Sequence, residues 1–174
     1  MLNLDPAMPA RRTILSGAVA TLAAFAVRGA NAQATEQKPS AAADANLTAL
    51  HYEIHFKVPP QRIYHLLLDA TQFADFTGMG AEIDARPGGA FKLFNKMIEG
   101  RNVELIEKQR VVQAWRPASW ASGVYSITHF ELTARGTEST LVLDHTGFPA
   151  GLADHLDSGW HGHYWEPMKR YFAA

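Results

Sequence analysis

The end of the chain, from His145 to Phe172, reads HTGFPAGLADHLDSGWHGHYWEPMKRYF. After the turn residues Gly147 and Pro149, large apolar residues recur at Trp160, Tyr164 and Met168, with Tyr171 and Phe172 following. This i, i+4, i+8 stripe predicts a helix that buries one face. Asp157 or Ser158 is placed to cap its start by accepting orphan backbone N–H groups. So bulky a stripe needs an apolar surface to lie on. From about His51 onward the upstream sequence reads as short strands that would supply one. Helix and sheet then either pack into an ordinary core or enclose a pocket.

The remaining bounds are consistent with one domain. The chain has 174 residues, no cysteine, a formal charge of -1 and 47% hydrophobic content, enough for a sizeable core. There is no basic excess of the kind a nucleic-acid partner requires. Without cysteine, disulfides and thiol nucleophiles are excluded. Residues 1–34 read as an export signal: Arg11-Arg12, a mild apolar run from Gly17 to Val27, then Ala30-Asn31-Ala32 as the A-x-A cleavage site. The paired arginines resemble a twin-arginine signal, an address rather than an anchor. The run is too short and alanine-rich for a stable span, so a periplasmic or secreted mature chain without membrane insertion is expected. Residues 35–48 read as a flexible lead-in and 49–174 as the domain.

Leu50 to Val58 has the cleanest alternation, with Tyr52, Ile54, Phe56 and Val58 on one side and His51, Glu53, His55 and Lys57 on the other. That predicts a strand with one wet face. Pro59-Pro60 ends it and opens a helix carrying Ile63, Leu66 and Leu67. A second short helix brings in Phe73 and Phe76, and Gly78 closes it. Strands are then predicted over Ala81 to Ala85, Ala90 to Asn95, Asn102 to Glu107, Val111 to Arg116, Tyr125 to Thr133 and Thr140 to His145. Turns are expected at Pro87-Gly88-Gly89, Glu99-Gly100-Arg101 and Arg135-Gly136-Thr137, and a loop at Pro117 to Gly123 with an exposed Trp120. Short turns between consecutive strands predict an antiparallel α+β fold, a curved sheet gripping the terminal helix.

The ordered series PP-helix, RPGGAFKLF, EKQRVVQAW, TLVLDHTGFP and SGWHGHYWEPMKRYF resembles the START-like (SRPBCC) superfamily of helix-grip domains. Within it, the chain is similar to the C-terminal domain of activators of the heat-shock protein 90 ATPase, from about Leu50 to Ala173. The resemblance implies a cavity between sheet and helix, and members that bind hydrophobic molecules, process aromatic polyketides or assist the chaperone. Two expectations set this chain apart from the eukaryotic co-chaperones: it carries no counterpart of their N-terminal chaperone-binding domain, and it is exported.

Eight histidines do not form a metal motif. His155 and His163 are two helical turns apart, His161 and His163 point to different sides, and no H-E-x-x-H or cysteine spacing occurs. No metal, cofactor or catalytic residue is therefore expected. No G-x-S-x-G is present, and Asp144 and His145, adjacent on a strand, face opposite ways. His145 near the mouth of the grip, with His163 and Tyr164, is the best acid–base candidate. The inward set Phe91, Leu93, Trp115, Thr128, Phe130, Leu143, His145, Trp160, Tyr164 and Met168 mixes apolar walls with a few polar groups, which predicts a site for a small hydrophobic or aromatic molecule. The alternatives are a chaperone-activator-like module with a protein partner, anchored by Trp120, or a cyclase/aromatase-type enzyme.

Overall fold

The computed structural model describes residues 46–173. The expected export signal over 1–34 and nearly all of the lead-in lie outside them. Seven strands form one antiparallel sheet: β1 (Ala49–Phe56), β2 (Glu82–Ile83), β3 (Ala90–Leu93), β4 (Ile98–Ile106), β5 (Arg110–Pro117), β6 (Ser126–Arg135) and β7 (Glu138–Thr146). Their spatial order is β1-β7-β6-β5-β4-β3-β2. Only β1 is out of sequence order, because α1 (Pro60–Leu68) and α2 (Ala70–Thr77) carry the chain across to the far edge. Pro60 begins α1 at a position where its missing N–H costs nothing. Gly78 ends α2 in the left-handed conformation, φ 70°, which glycine adopts without a Cβ penalty.

The terminal helix lies on the inner face of this sheet and completes the α+β grip. Phe91, Val111, Phe130, Leu141 and Leu143 meet Trp160 and Met168 there, all buried. The helix departs from the expected form in two respects. It starts at Ala153, not beside Asp157, and Leu152 caps it without a side-chain bond. Asp157 instead accepts the Tyr52 hydroxyl at 2.7 Å, tying the helix to β1. The helix is also interrupted: α3 (Ala153–Trp160) passes through a π-helical turn (His161–Trp165) into α4 (Glu166–Ala173). In that turn the Glu166 N–H reaches back five residues to the His161 carbonyl. The cause is local. Pro167 has no N–H for the His163 carbonyl and its ring would collide with it in a regular α-turn, and a widened turn relieves the conflict. The extra residue rotates Trp165 inward beside Tyr164, so that both rings are buried.

The turn expected at Glu99-Gly100-Arg101 lies elsewhere. β4 runs straight through those residues, pairing Gly100 with Phe91 on one side and Trp115 on the other. The reversal occurs at Phe94–Met97, where Phe94, Asn95 and Lys96 all have positive φ. Asn95 secures it by exchanging bonds with Gly80: its N–H donates to the Gly80 carbonyl and its Oδ1 accepts the Gly80 N–H, each at 2.9 Å.

Candidate functional site

Where the π-turn approaches the β3–β4 reversal and the β5–β6 loop, the packing opens into a cleft of about 550 Å³. Phe94, Trp115, Trp160 and Tyr164 form its aromatic walls. Met97, Ile98, Pro117, Ala118 and Ser119 supply the strand side, and His155, Leu156, Ser158, Gly159 and His163 the helix side. No Asp, Glu, Lys or Arg lines it. The rings contact one another as well as the void. Trp160 stacks on Trp115 at 5.8 Å between centroids, and Phe94 meets Tyr164 edge-on at 5.2 Å. Such offset and T-shaped contacts hold aromatic walls apart at fixed angles. The three consecutive left-handed residues at Phe94–Lys96 store backbone strain beside this void, as functional sites commonly do.

The far wall depends on Arg116. Its guanidinium donates to Glu99 at 2.7 Å and to the Trp120 carbonyl, and lies over the Tyr125 ring at 5.6 Å. The β5–β6 loop is thereby fastened at both ends. Trp120, expected to stand in solvent as an anchor, is half-buried and packs edge-on against Trp115 at 6.1 Å. Its place against the core follows from the apolar floor that Trp115 offers.

His145 is not at the mouth of the grip. It is fully buried, and both ring nitrogens are engaged. An indole N–H can only donate, so the Trp160 Nε1–H at 3.0 Å makes Nδ1 the acceptor. The proton therefore sits on Nε2, which donates to Ser126 Oγ at 2.7 Å, and that hydroxyl donates on to the Trp115 carbonyl at 3.0 Å. Burial pushes the His145 pKa down to about 4. A neutral imidazole locked between fixed partners braces the sheet against the helix, with neither nitrogen available for proton transfer at the cleft. Burial likewise pushes the Tyr164 phenol well above its ordinary range, offset in part by the neighbouring Trp115 indole.

Of the ten residues expected to contact a ligand, the cleft brings together Trp115, Trp160 and Tyr164. Phe91, Leu93, Thr128, Phe130, Leu143, His145 and Met168 lie in the packed interior and line no part of it. Phe94, Met97 and Gly159 were missed. The first two belong to a turn that the sequence reading put a few residues too late, and Gly159 contributes by having no side chain. Among the described residues no group of three or more His, Asp or Glu converges as a metal site, and no helix is long and apolar enough to cross a membrane.

With the geometry established, comparison with known proteins places the chain. The family profile "Activator of Hsp90 ATPase homolog 1-like protein" matches residues 57–173. The chain belongs to this family. It is 30% identical over 117 residues to an uncharacterised protein of Schizosaccharomyces pombe, covering 67% of this chain and 35% of that one. Against the human activator of 90 kDa heat shock protein ATPase homolog 1 it is 25% identical, with the same two coverages. The chain thus spans about a third of the length of these relatives. Among solved structures, an HSP90 activator from Plasmodium falciparum superposes with a TM-score of 0.70 at 22% identity, covering 72% of this chain and 96% of that one. That likeness carries the helix-grip fold.

Proposed function

We propose that this member of the family binds an apolar, aromatic small molecule in the cleft between the π-turn and the β3–β4 reversal. One observation carries the reading: four aromatic rings bound an open void of about 550 Å³ that no Asp, Glu, Lys or Arg lines, a size and polarity typical of small-molecule sites. In this reading the ligand cavity lies at one end of the grip, beyond its packed centre. Gly159 provides the test. A Cβ built there meets nothing within 4 Å, and Gly159 lines the cleft, so Gly159→Leu sends its side chain into the void, and leucine is the better helix former. The parent should take up Nile red with a blue-shifted emission, and Gly159→Leu should lose that uptake while unfolding at or above the parent's midpoint. A parent that takes up no dye overturns the reading.

A second reading, engagement of a 90-kDa heat-shock protein, is favoured by family membership and by the activators among its relatives. Calorimetric titration into the purified chaperone tests it, and absence of heat removes it. Export favours the first reading. The Arg11-Arg12, apolar run and A-x-A order would send the mature chain away from a cytosolic ATP-hydrolysing chaperone. N-terminal sequencing of the periplasmic protein checks this; recovery only from the cytoplasm, still beginning at Met1, rules export out.

A further inference from the structure

The mouth of the cleft differs in chemistry from its walls, and the difference specifies the ligand further. Phe94, Trp115, Trp160 and Tyr164, which form the walls, are all buried. His155, Ser158 and His163 on the helix side and Ser119 on the loop side line the same void and are exposed. The polar groups therefore border the opening. Among the described residues no side-chain hydrogen bond or ion pair engages any of these four. Each can donate: a hydroxyl or a neutral imidazole gives one hydrogen bond, and a protonated imidazole gives two and carries a positive charge. No carboxylate lines the cleft. Of those on the flanking elements, Asp157 is taken by Tyr52 at 2.7 Å, Glu99 by Arg116 at 2.7 Å and Glu166 by Lys169 at 3.1 Å. His163 is the best placed of the donors. Its ring meets the edge of the Phe94 wall at 5.9 Å between centroids, which sets the imidazole at the boundary between aromatic wall and solvent. His155, eight residues earlier, stands roughly 12 Å away along the helix axis and borders another part of the opening.

We infer that the ligand of this cleft is an aromatic acid, with its apolar body between the rings and an anionic oxygen group at the mouth, received by His163. An anion at the mouth keeps part of its hydration, so it avoids the cost of full burial. The imidazole offers it a donor, and no lining carboxylate repels it. A cation would find no acidic partner in the same place. His163 is then the residue that separates an acid from a neutral molecule of the same shape. This inference rests on the cleft being a ligand site, and the experiment separates the two claims.

Two dyes serve as probes: anilinonaphthalene sulfonate, and phenylnaphthylamine, which has the same rings without the sulfonate. Fluorescence titration gives an affinity for each. His163→Leu removes the donor at an exposed position, with thermal unfolding showing an intact fold. The affinity for the sulfonate dye, relative to that for the neutral one, should fall about three- to tenfold, the range that one net hydrogen bond supplies. Any change in apolar contact at position 163 acts on both dyes and cancels in the ratio. An unchanged ratio overturns the acid inference and leaves the cleft reading in place. A parent that binds the neutral dye but not the sulfonate does the same. Sulfonate-dye binding that survives in Gly159→Leu lies outside the cleft and also overturns the acid inference. If neither dye binds the parent, both claims fall.

Discussion

Trp160 donates its indole N–H to Nδ1 of His145 across 3.0 Å, with both residues buried. This bond joins the last α-turn before the π-helical segment to β7, the strand next to the β1 edge, and Ser126 continues the chain into β6. The ring that forms one wall of the cleft is therefore held by the sheet through a neutral imidazole. Trp160 also stacks between Trp115 and Trp165, at 5.8 and 5.4 Å. Its orientation is fixed by packing on both faces and a hydrogen bond at the edge.

Acid should break this brace. Burial holds the His145 pKa at about 4 against an ordinary value of 6.5, so the folded state favours the neutral ring. Above pH 6.5 the unfolded chain is also neutral and the full stability is present. As pH falls from about 6.5 to about 4 the unfolded chain binds a proton that the folded chain refuses, and stability declines by up to roughly 3 kcal/mol. Protonated Nδ1 would also face the Trp160 N–H donor to donor. Urea unfolding across this range should show the decline, and His145→Gln should flatten it. An unchanged slope in that variant would remove His145 as the cause.

Trp160 itself can be divided into ring and N–H. Trp160→Ala should cost about 3–5 kcal/mol, the range for a large buried aromatic. Trp160→Phe retains an aromatic ring but leaves Nδ1 of His145 without its donor, for about 1–3 kcal/mol. Denaturant midpoints at constant m-value measure both. A loss below about 1 kcal/mol for the alanine variant would mean that the ring stabilises the cleft rather than the fold.

The architecture was largely legible because alternation is a strong signal. His51 against Tyr52 and Asp144 against His145 place themselves by period alone, and the strand faces follow as expected. The site was less legible. A regular helical period put Trp160, Tyr164 and Met168 in one stripe but left out Trp165, which reaches the interior only through the π-turn forced at Pro167. Periodicity identified which residues face the helix, but it does not distinguish interior that packs solid, as at Thr128 and Met168, from interior that opens, as at Trp115. That difference depends on where the β3–β4 reversal falls. Phe94, Asn95 and Lys96 adopt left-handed backbone without a glycine among them, so the usual sequence signal for a turn was absent.

Thr128 measures how solid the centre is. It lies mid-sheet between Gln113 and His145, fully buried, with its Oγ1 lacking a partner. Thr128→Phe should overpack this interior and destabilise the fold by about 1–3 kcal/mol or more. Thr128→Val should be stabilising by about 1 kcal/mol, because it replaces an unsatisfied hydroxyl with a methyl group of similar size. Thermal and denaturant unfolding report both. A Phe variant as stable as the parent would place open space at the centre of the grip.

Gly100 tests the strand that replaced the expected turn. Its neighbours across the sheet are Phe91 on β3 and Trp115 on β5. A Cβ added there would overlap the carbonyl oxygen of Ala114 and the ring of Phe91. In a turn an alanine would be tolerated, whereas here it must push a backbone carbonyl out of the β4–β5 ladder as well as tilt a buried ring. Strand glycines of this kind mark a close approach. Gly100→Ala should therefore cost about 2 kcal/mol or more, despite alanine's lower conformational entropy in the unfolded chain. Phe91→Leu in the same background relieves only the ring. The double variant should fall short of the sum of the single losses by about 0.5–1 kcal/mol, the coupling expected of residues in contact, with the Ala114 clash persisting. Strict additivity of the two losses would mean that the Phe91 ring does not lie over Gly100, and that the β3–β4 register differs from the one described.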